Sequence, residues 1–180
     1  MVGGEVVEIG EASARADAFR RLADSHLEKS YRLARAILGD AAEAEDATHD
    51  AFVTAWRKWS TLRDPARFEH WFDRILVNTC RNRARRIHRW RTQDLSAELP
   101  ATVGDAVRET QDRDVVGAAL ARLGPEHRIV VAMRFYRDLT TDEIARQLGL
   151  PQGTVKSRLH TAMRRLHVMI DEAEGKGALE

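Results

Sequence analysis

Apolar residues along this sequence recur mostly at the three- and four-residue intervals of an α-helix. Val155, Leu159, Ala162 and Leu166 follow this interval, which predicts a helix with one buried stripe. The alternation typical of strands is nearly absent, while Ala, Arg, Leu and Glu, which favour helices, are abundant. The pattern therefore predicts an all-α protein. Two further apolar faces are Thr48, Ala51, Phe52, Ala55 and Trp59, and then Phe68, Trp71, Phe72, Ile75 and Leu76.

The C-terminal part of the chain predicts a helix-turn-helix. Thr140 and Glu143 have the spacing of a capping box, which begins a helix. Gly149 can adopt the left-handed conformation that ends it, and Pro151 lies near the first turn of the next helix, where its missing N–H costs little. Two more helices are predicted upstream, the second of them beginning at Pro125. The residues expected in the core there are Ile129, Val130, Met133 and Phe135.

Charge is sorted into blocks although the net charge is only +1. Residues 40–50 are acidic, residues 74–91 hold seven arginines and no acid, residues 93–114 are acidic again, and residues 152–167 are basic. The second acidic block also contains Pro100 and Gly104 and has little apolar periodicity, so we interpret it as a linker. The predicted organisation is two small helical domains joined by an acidic linker: a flexible tail (1–14), an N-terminal domain (15–92), the linker (93–113), a C-terminal domain (114–172) and a second flexible tail (173–180).

Composition excludes several classes of protein. Cys80 is the single cysteine, which rules out an intrachain disulfide or a multi-cysteine zinc site and fits a reducing compartment. Cys80 is either a redox-sensitive thiol or, as is commoner, a small buried apolar residue. The N-terminus lacks the apolar run of a signal peptide, and no stretch is long enough to span a bilayer. We expect a cytoplasmic protein without catalytic activity, cofactor, metal, small-molecule substrate or membrane insertion.

Three surfaces carry candidate chemistry. The outer face of the last helix is basic and polar, and such side chains can bind phosphates and base edges. The arginine block would repel itself unless a polyanion neutralised it, which indicates nucleic acid. Asp46, His49, Asp50 and Val53 form a stripe on a third helix, which is either a protein-binding face or a solvated acidic face. For the two basic surfaces the alternative is likewise a simple solvated face.

These residues resemble a known family. The segments AEAEDATHDAFVTAWRKW and FEHWFDRILVNTCRNRARR resemble region 2 of sigma factors of the extracytoplasmic-function (ECF) class. The segment from Ala119 to Leu166 resembles their region 4. The resemblance implies an alternative sigma factor that binds core RNA polymerase, recognises promoter −10 and −35 elements, promotes DNA melting, and is controlled by an anti-sigma factor.

The resemblance also implies roles for individual residues. The polymerase-binding set, which would dock on the clamp helices of the largest subunit, is Asp46, His49, Asp50 and Val53. The family prefers Gln and Glu at positions 49 and 50, and often Asp at position 82. The −10 set is Arg63, Ala66, Arg67, Asn78, Arg81, Asn82, Arg85 and Arg86. The −35 set is Gln152, Thr154, Lys156, Ser157, Arg158, His160, Thr161 and Arg164, in which Arg158 has the alternative of facing a neighbouring helix.

Two other classes of protein share parts of this pattern. An ordinary helix-turn-helix regulator would have the same C-terminal motif, but it would not need the acidic stripe or the arginine block, and it should dimerise on palindromic DNA. A nuclease would use Asp46, His49, Asp50 and His70. That set has helical spacing but lacks a metal motif such as H-E-x-x-H.

Overall fold

The computed structural model describes residues 3–93 and 111–177, with side-chain positions for residues 13–87 and 116–172. This part of the chain forms seven α-helices and no strand, as the apolar pattern predicts. The first four elements are α1 (Gly3–Leu38), α2 (Ala41–Arg57), two short 3-10 turns (Trp59–Thr61 and Pro65–Arg67) and α3 (Phe68–Gln93). The remaining helices are α4 (Gln111–Arg122), α5 (Pro125–Tyr136), α6 (Thr141–Leu148) and α7 (Gln152–Gly177).

The helices extend further than the predicted domain limits. At the N-terminus α1 begins at Gly3, within the segment 1–14 that the sequence predicts as a flexible tail. At the other end α7 continues to Gly177, into the second predicted tail. Both segments contain alanines and glutamates, which propagate a helix once a neighbouring turn exists. Of the predicted linker, Gln93 belongs to α3 and residues 111–113 to α4, while residues 94–110 lie outside the described residues.

The N-terminal helices pack around aromatic side chains. Asp40 caps α2 by accepting a hydrogen bond from the Glu43 amide at 2.9 Å, which satisfies one of the free N–H groups of the first turn. From α3, Phe68 and Phe72 are buried and their rings stack at 5.5 Å. The ring of Phe52 on α2 stacks on Phe72 at 4.3 Å. These contacts fix the angle between α2 and α3 and so set the relative position of their outer faces.

The helix-turn-helix has the boundaries that the sequence predicts. The Thr140 hydroxyl accepts from the Glu143 amide, and the Glu143 carboxylate accepts from the Thr140 amide at 2.8 Å. The hydrogen bonds from the Thr140 side chain and backbone lower the pKa of Glu143. Gly149 ends α6 in the left-handed conformation, with φ of 64°. Val155 and Ala162 of α7 are fully buried, which confirms the buried stripe.

The two halves of the chain share one core. Leu33 and Ile37 of α1 belong to the same buried cluster as Ile129 and Met133 of α5, and α5 packs against both α1 and α3. The prediction that Phe135 lies in the core is wrong, because its side chain is 57% exposed. In the register of α5, Ile129, Val130 and Met133 take the inward positions and Phe135 falls on the outer face.

No helix in the described part of the chain is both long and apolar enough to cross a membrane.

Candidate polymerase and nucleic-acid interface

The outer face of α7 presents most of the predicted −35 set to solvent. Gln152, Lys156, Ser157, His160 and Arg164 are exposed, and Thr154 and Thr161 are partly exposed. The helix begins at Gln152, and N–H groups at the start of a helix that lack a backbone partner favour a phosphate. The same turn is held to the preceding loop through a hydrogen bond from the Thr154 amide to the Pro151 carbonyl at 3.0 Å. The arrangement can place one basic, hydrogen-bonding helix face in a DNA major groove.

Arg158 differs from the rest of that set. Its guanidinium donates to the Glu126 carboxylate of α5 at 2.7 Å, so it faces a neighbouring helix, which is the alternative that the sequence left open. Burial, together with the positive charges of Arg165 and Arg158, lowers the pKa of the adjacent His127 below its usual 6.5. Arg158 therefore contributes to the positive potential between α5 and α7, next to His127.

The acidic stripe of α2 lies on the surface, as its spacing predicts. Asp46, His49 and Asp50 are exposed and Val53 is partly exposed. The carboxylates are not simply solvated, however, because a single arginine from α3 joins them. Arg83 donates to Asp50 at 2.6 Å and to Glu43 at 2.9 Å, and lies 3.4 Å from Asp46.

Sequence patterns alone did not single out Arg83, which is one member of the arginine block. Its side chain is 14% exposed. Burial by itself lowers the pKa of Arg83, but the hydrogen bonds to Asp50 and Glu43 reverse that effect and raise it above its ordinary value. Arg83 thus holds the carboxylates of α2 in fixed positions. Its partners are 33 to 40 residues away in the chain. The sequence indicated this pairing only through the opposite charges of the acidic block (40–50) and the arginine block (74–91).

The structure divides the predicted −10 set into separate groups. Asn78 and Asn82 are exposed on α3. Asn82 and Arg86 line a surface pocket of about 440 Å³ between α2 and α3, together with Asp50, Thr54, Thr79 and Arg83. Arg63, Ala66 and Arg67 lie apart from these residues in and before the second 3-10 turn, and all three are exposed. That turn is capped by the Asp64 carboxylate, which accepts from the Ala66 amide at 3.0 Å.

The remaining two members, Arg81 and Arg85, face the C-terminal half. Their guanidiniums approach the Glu126 carboxylate at 3.6 and 3.3 Å. The arginine block is therefore partly neutralised within the protein, by α2 acids at Arg83 and by Glu126 at these two positions. Internal pairing thus reduces the self-repulsion that the sequence suggested only a polyanion could relieve. Among the block's arginines whose side chains are described, Arg74, Arg85 and Arg86 are exposed.

A buried ion pair joins the two halves beside this cluster. Arg137 donates two hydrogen bonds to Asp73 of α3, at 2.8 and 2.9 Å. The two side chains are 7% and 6% exposed. Burial raises the pKa of Asp73, and the hydrogen bonds from Arg137 counter that rise.

The described residues of the nuclease set do not form a metal-binding group, and the cysteine is buried. Within residues 3–93 and 111–177, no three His, Cys, Asp or Glu side chains are grouped so as to hold a metal ion. Two members of the nuclease set, Asp46 and Asp50, instead contact Arg83. Cys80 is fully buried in α3, and burial raises the pKa of its thiol to about 12. A thiol in that state is a poor nucleophile.

Comparison with known proteins identifies the class. Residues 22–91 match the family described as sigma-70 region 2, and residues 119–167 match sigma-70, region 4. The ECF RNA polymerase sigma factor SigL of Mycobacterium tuberculosis is 36% identical over 168 residues, covering 91% of this chain and 94% of that protein. The RNA polymerase sigma-E factor of Streptomyces coelicolor is 32% identical over 169 residues, covering 91% and 86%.

A solved structure has the same fold. The sigma factor RpoE of Bartonella quintana, in complex with the anti-sigma factor NepR, superposes with a TM-score of 0.71 at 21% identity, over 85% of this chain and 96% of that one. The two family models and the relatives above show that the chain belongs to the sigma-70 family of RNA polymerase sigma factors. Within that family it is an ECF sigma factor, a transcription initiation factor that joins core RNA polymerase and recognises promoter DNA.

Proposed function

We propose that this protein is an alternative sigma factor with three binding surfaces. The α2 surface binds core polymerase, the α3 surface binds the −10 element, and the α7 surface binds the −35 element. This assignment of partners to surfaces depends on one observation: the order of the three surfaces along the chain and their exposure to solvent. One chain presents an ordered acidic stripe on α2, exposed Asn and Arg side chains on α3, and a basic face on a helix-turn-helix. Two separate basic surfaces suit two separate stretches of DNA, and the acidic surface suits a protein partner.

For polymerase docking, the stripe of Asp46, His49, Asp50 and Val53 would contact the clamp helices of the largest subunit. Arg83 supports this assignment, because it fixes the carboxylates before the partner arrives and so reduces the entropy lost on binding. Val53 adds a partly exposed apolar contact among polar ones, and protein interfaces combine apolar contacts with a polar rim.

For the −10 element, Asn78, Asn82 and Arg86 would meet the DNA with the loop residues Arg63, Ala66 and Arg67. Taking a base out of the duplex costs a few kcal/mol. Asn82 and Arg86 line the pocket between α2 and α3, where polar side chains can contact displaced nucleotides and offset that cost. Melting would then rely on binding energy, without catalysis by this chain.

For the −35 element, the exposed face of α7 would read duplex DNA in the major groove. Lys156 and Arg164 can reach phosphates or guanine edges, and Gln152, Ser157 and Thr161 can bind bases or backbone. Both promoter contacts are made by one molecule, so the second becomes effectively intramolecular once the first has formed. We further propose that the protein acts in the cytoplasm, where polymerase is found, and that an anti-sigma factor restrains it, as is common in the ECF class.

Run-off transcription with purified core polymerase tests this function. Wild-type protein should direct RNA synthesis from discrete sites in a genomic promoter library, and failure to do so at any site would contradict the proposal. His49→Ala with Val53→Ala should weaken core polymerase binding, because this change removes docking contacts while leaving the Arg83 carboxylates in place. Lys29→Ala, at an exposed position of α1, is the control and should bind normally.

The −35 assignment has its own test. Lys156→Ala should weaken protection of the −35 element in a footprint and leave core polymerase binding unchanged. An unaltered footprint would contradict the role of α7. Arg86→Ala should reduce the salt dependence of promoter binding, because each phosphate contact contributes to the salt slope.

A further inference from the structure

The α2–α3 loop (residues 58–67) is anchored to the core at both ends. The side chain of Trp59 is half-buried, and its ring centroid lies 5.3 Å from that of Phe19 and 6.0 Å from that of Phe68. Phe68, which begins α3, is 1% exposed. The Leu62 amide donates to the Trp59 carbonyl at 3.1 Å. Both ends of the loop are therefore fixed, and the placement of its middle depends on the local structure there.

The middle of this loop, residues 63–67, is exposed throughout. It contains three members of the proposed −10 set, which are Arg63, Ala66 and Arg67. Hydrogen bonds from the Arg67 amide to the Asp64 carbonyl at 3.0 Å and from the Phe68 amide to the Pro65 carbonyl close a single 3-10 turn. A helix this short is marginal in water by itself, so a further contact is needed to hold it in one conformation.

The side chain of Asp64 supplies that contact. One oxygen of its carboxylate accepts from the Ala66 amide at 3.0 Å, and the other lies 3.5 Å from Nε of Arg67. Pro65 has no N–H and fixes φ at the first position of the turn, so the Ala66 amide is the first donor there that needs a partner. Asp64 therefore contacts the backbone of one residue of the −10 set and the side chain of another.

The charge of Asp64 opposes a direct contact with phosphate. Its side chain is 53% exposed, and an ionised carboxylate is only an acceptor, so it repels the DNA backbone that Arg63 and Arg67 would attract. A favourable effect of Asp64 on phosphate binding must then act through the turn. A carboxylate can also accept from the amino group of cytosine, and this direct contact is the rival explanation that an experiment has to separate.

We propose that Asp64 is a positioning residue for −10 recognition: its cap holds the turn at residues 65–67 so that Ala66 and Arg67 are already placed when the displaced strand arrives. A turn that is ordered beforehand loses less conformational entropy on binding. The inference rests on the proposed function for the role of this loop, whereas the order of the turn is a property of the free protein.

Nuclear magnetic resonance relaxation of the free protein tests the turn without DNA or polymerase. Asn caps a helix about as well as Asp does and Ala does not, so Asp64→Asn removes the charge alone, whereas Asp64→Ala removes the charge and the cap. We expect the backbone order parameters of Ala66 and Arg67 to fall below about 0.6 in Asp64→Ala and to keep their wild-type values in Asp64→Asn. Equal order parameters in the two variants would overturn the positioning role.

Selection from randomised DNA tests recognition. The probe is a fork duplex whose unpaired nontemplate segment has random sequence, and holoenzyme formed with core polymerase binds it before the retained strands are sequenced. Wild-type holoenzyme should enrich one −10 sequence. Asp64→Ala should bind that sequence about fivefold more weakly, as expected for the loss of one cap, and should discriminate less against other sequences. Asp64→Asn should bind it as tightly as wild type or more tightly, because the cap remains and phosphates are repelled less.

Asp40→Ala is the matched control, because Asp40 caps α2 through the Glu43 amide at 2.9 Å and lies outside the proposed −10 set. It should lower the free energy of unfolding and leave the enriched sequence and its affinity unchanged. Selectivity lost equally in Asp40→Ala would mean that any missing cap has this effect, and the role of Asp64 would be refuted. A changed base preference in Asp64→Asn would refute it too, since the carboxylate would then contact a base. If wild-type holoenzyme enriches no sequence, the proposed function fails, while the order parameters still decide whether Asp64 holds the turn.

Discussion

The replacement of Arg83 by methionine tests how far one side chain organises the polymerase-binding surface. Methionine retains an unbranched apolar stem, so the packing between α2 and α3 is largely preserved, while the guanidinium is absent. The substitution removes the interactions of that guanidinium with Asp50 at 2.6 Å, Glu43 at 2.9 Å and Asp46 at 3.4 Å. The change therefore isolates the electrostatic contribution of Arg83.

The three interactions are not equal. Asp46 is 69% exposed, so its attraction to Arg83 is screened and contributes little. Glu43 and Asp50 are less exposed and each contributes about 0.5–1 kcal/mol after the same allowance for solvent. The carboxylates left behind lie three and four residues apart along α2, and their repulsion adds a few tenths of a kcal/mol. We expect the free energy of unfolding to fall by about 2 kcal/mol.

Urea unfolding followed by circular dichroism measures this decrease as a lower midpoint at an unchanged slope. Arg74→Met is the control, because Arg74 is exposed on the same helix, and it should change stability by less than about 0.5 kcal/mol. Core polymerase affinity, measured where both variants are folded, should also fall several-fold. A stability equal to that of the control, or tighter polymerase binding by the now more acidic α2, would refute the positioning role.

Three further predictions concern the fold. Gly149→Ala should lower the free energy of unfolding by about 1 kcal/mol, because Gly149 has φ of 64° and alanine is strained in that conformation. Gly153→Ala is the control, because Gly153 lies in the first turn of α7 and an added Cβ would meet open space. The control should leave stability unchanged or raise it. The pKa of His127 is lowered by burial and by Arg165. The unfolded chain therefore binds its proton more readily, and stability should fall as pH drops below about 6.5 in a urea titration, less so in His127→Gln. Cys80, with a thiol pKa raised to about 12, should react with a thiol reagent only on unfolding; rapid reaction of the folded protein would contradict its burial.

The local elements and the class of protein could be predicted from the amino-acid sequence. The helix-turn-helix could be predicted because its signals lie within a few residues of one another: Thr140 with Glu143 for the cap, and Gly149 for the turn. The buried stripe of α7 and the exposed stripe of α2 follow from side-chain direction in a helix, which is fixed by spacing alone. The resemblance to sigma regions 2 and 4, now shown by comparison, came from the order of such motifs.

The pairing of charges depends on how the helices pack. Arg83 lies 33 residues from Asp50 in sequence, and Arg137 lies 64 residues from Asp73. Local periodicity carries no information about pairs at such separations, since they depend on how α2, α3 and α5 pack. The same packing turned Arg81, Arg85 and Arg158 towards one carboxylate. The blocks of charge were visible in the chain, but the fold determined whether each was matched by an internal partner or left for polymerase and DNA.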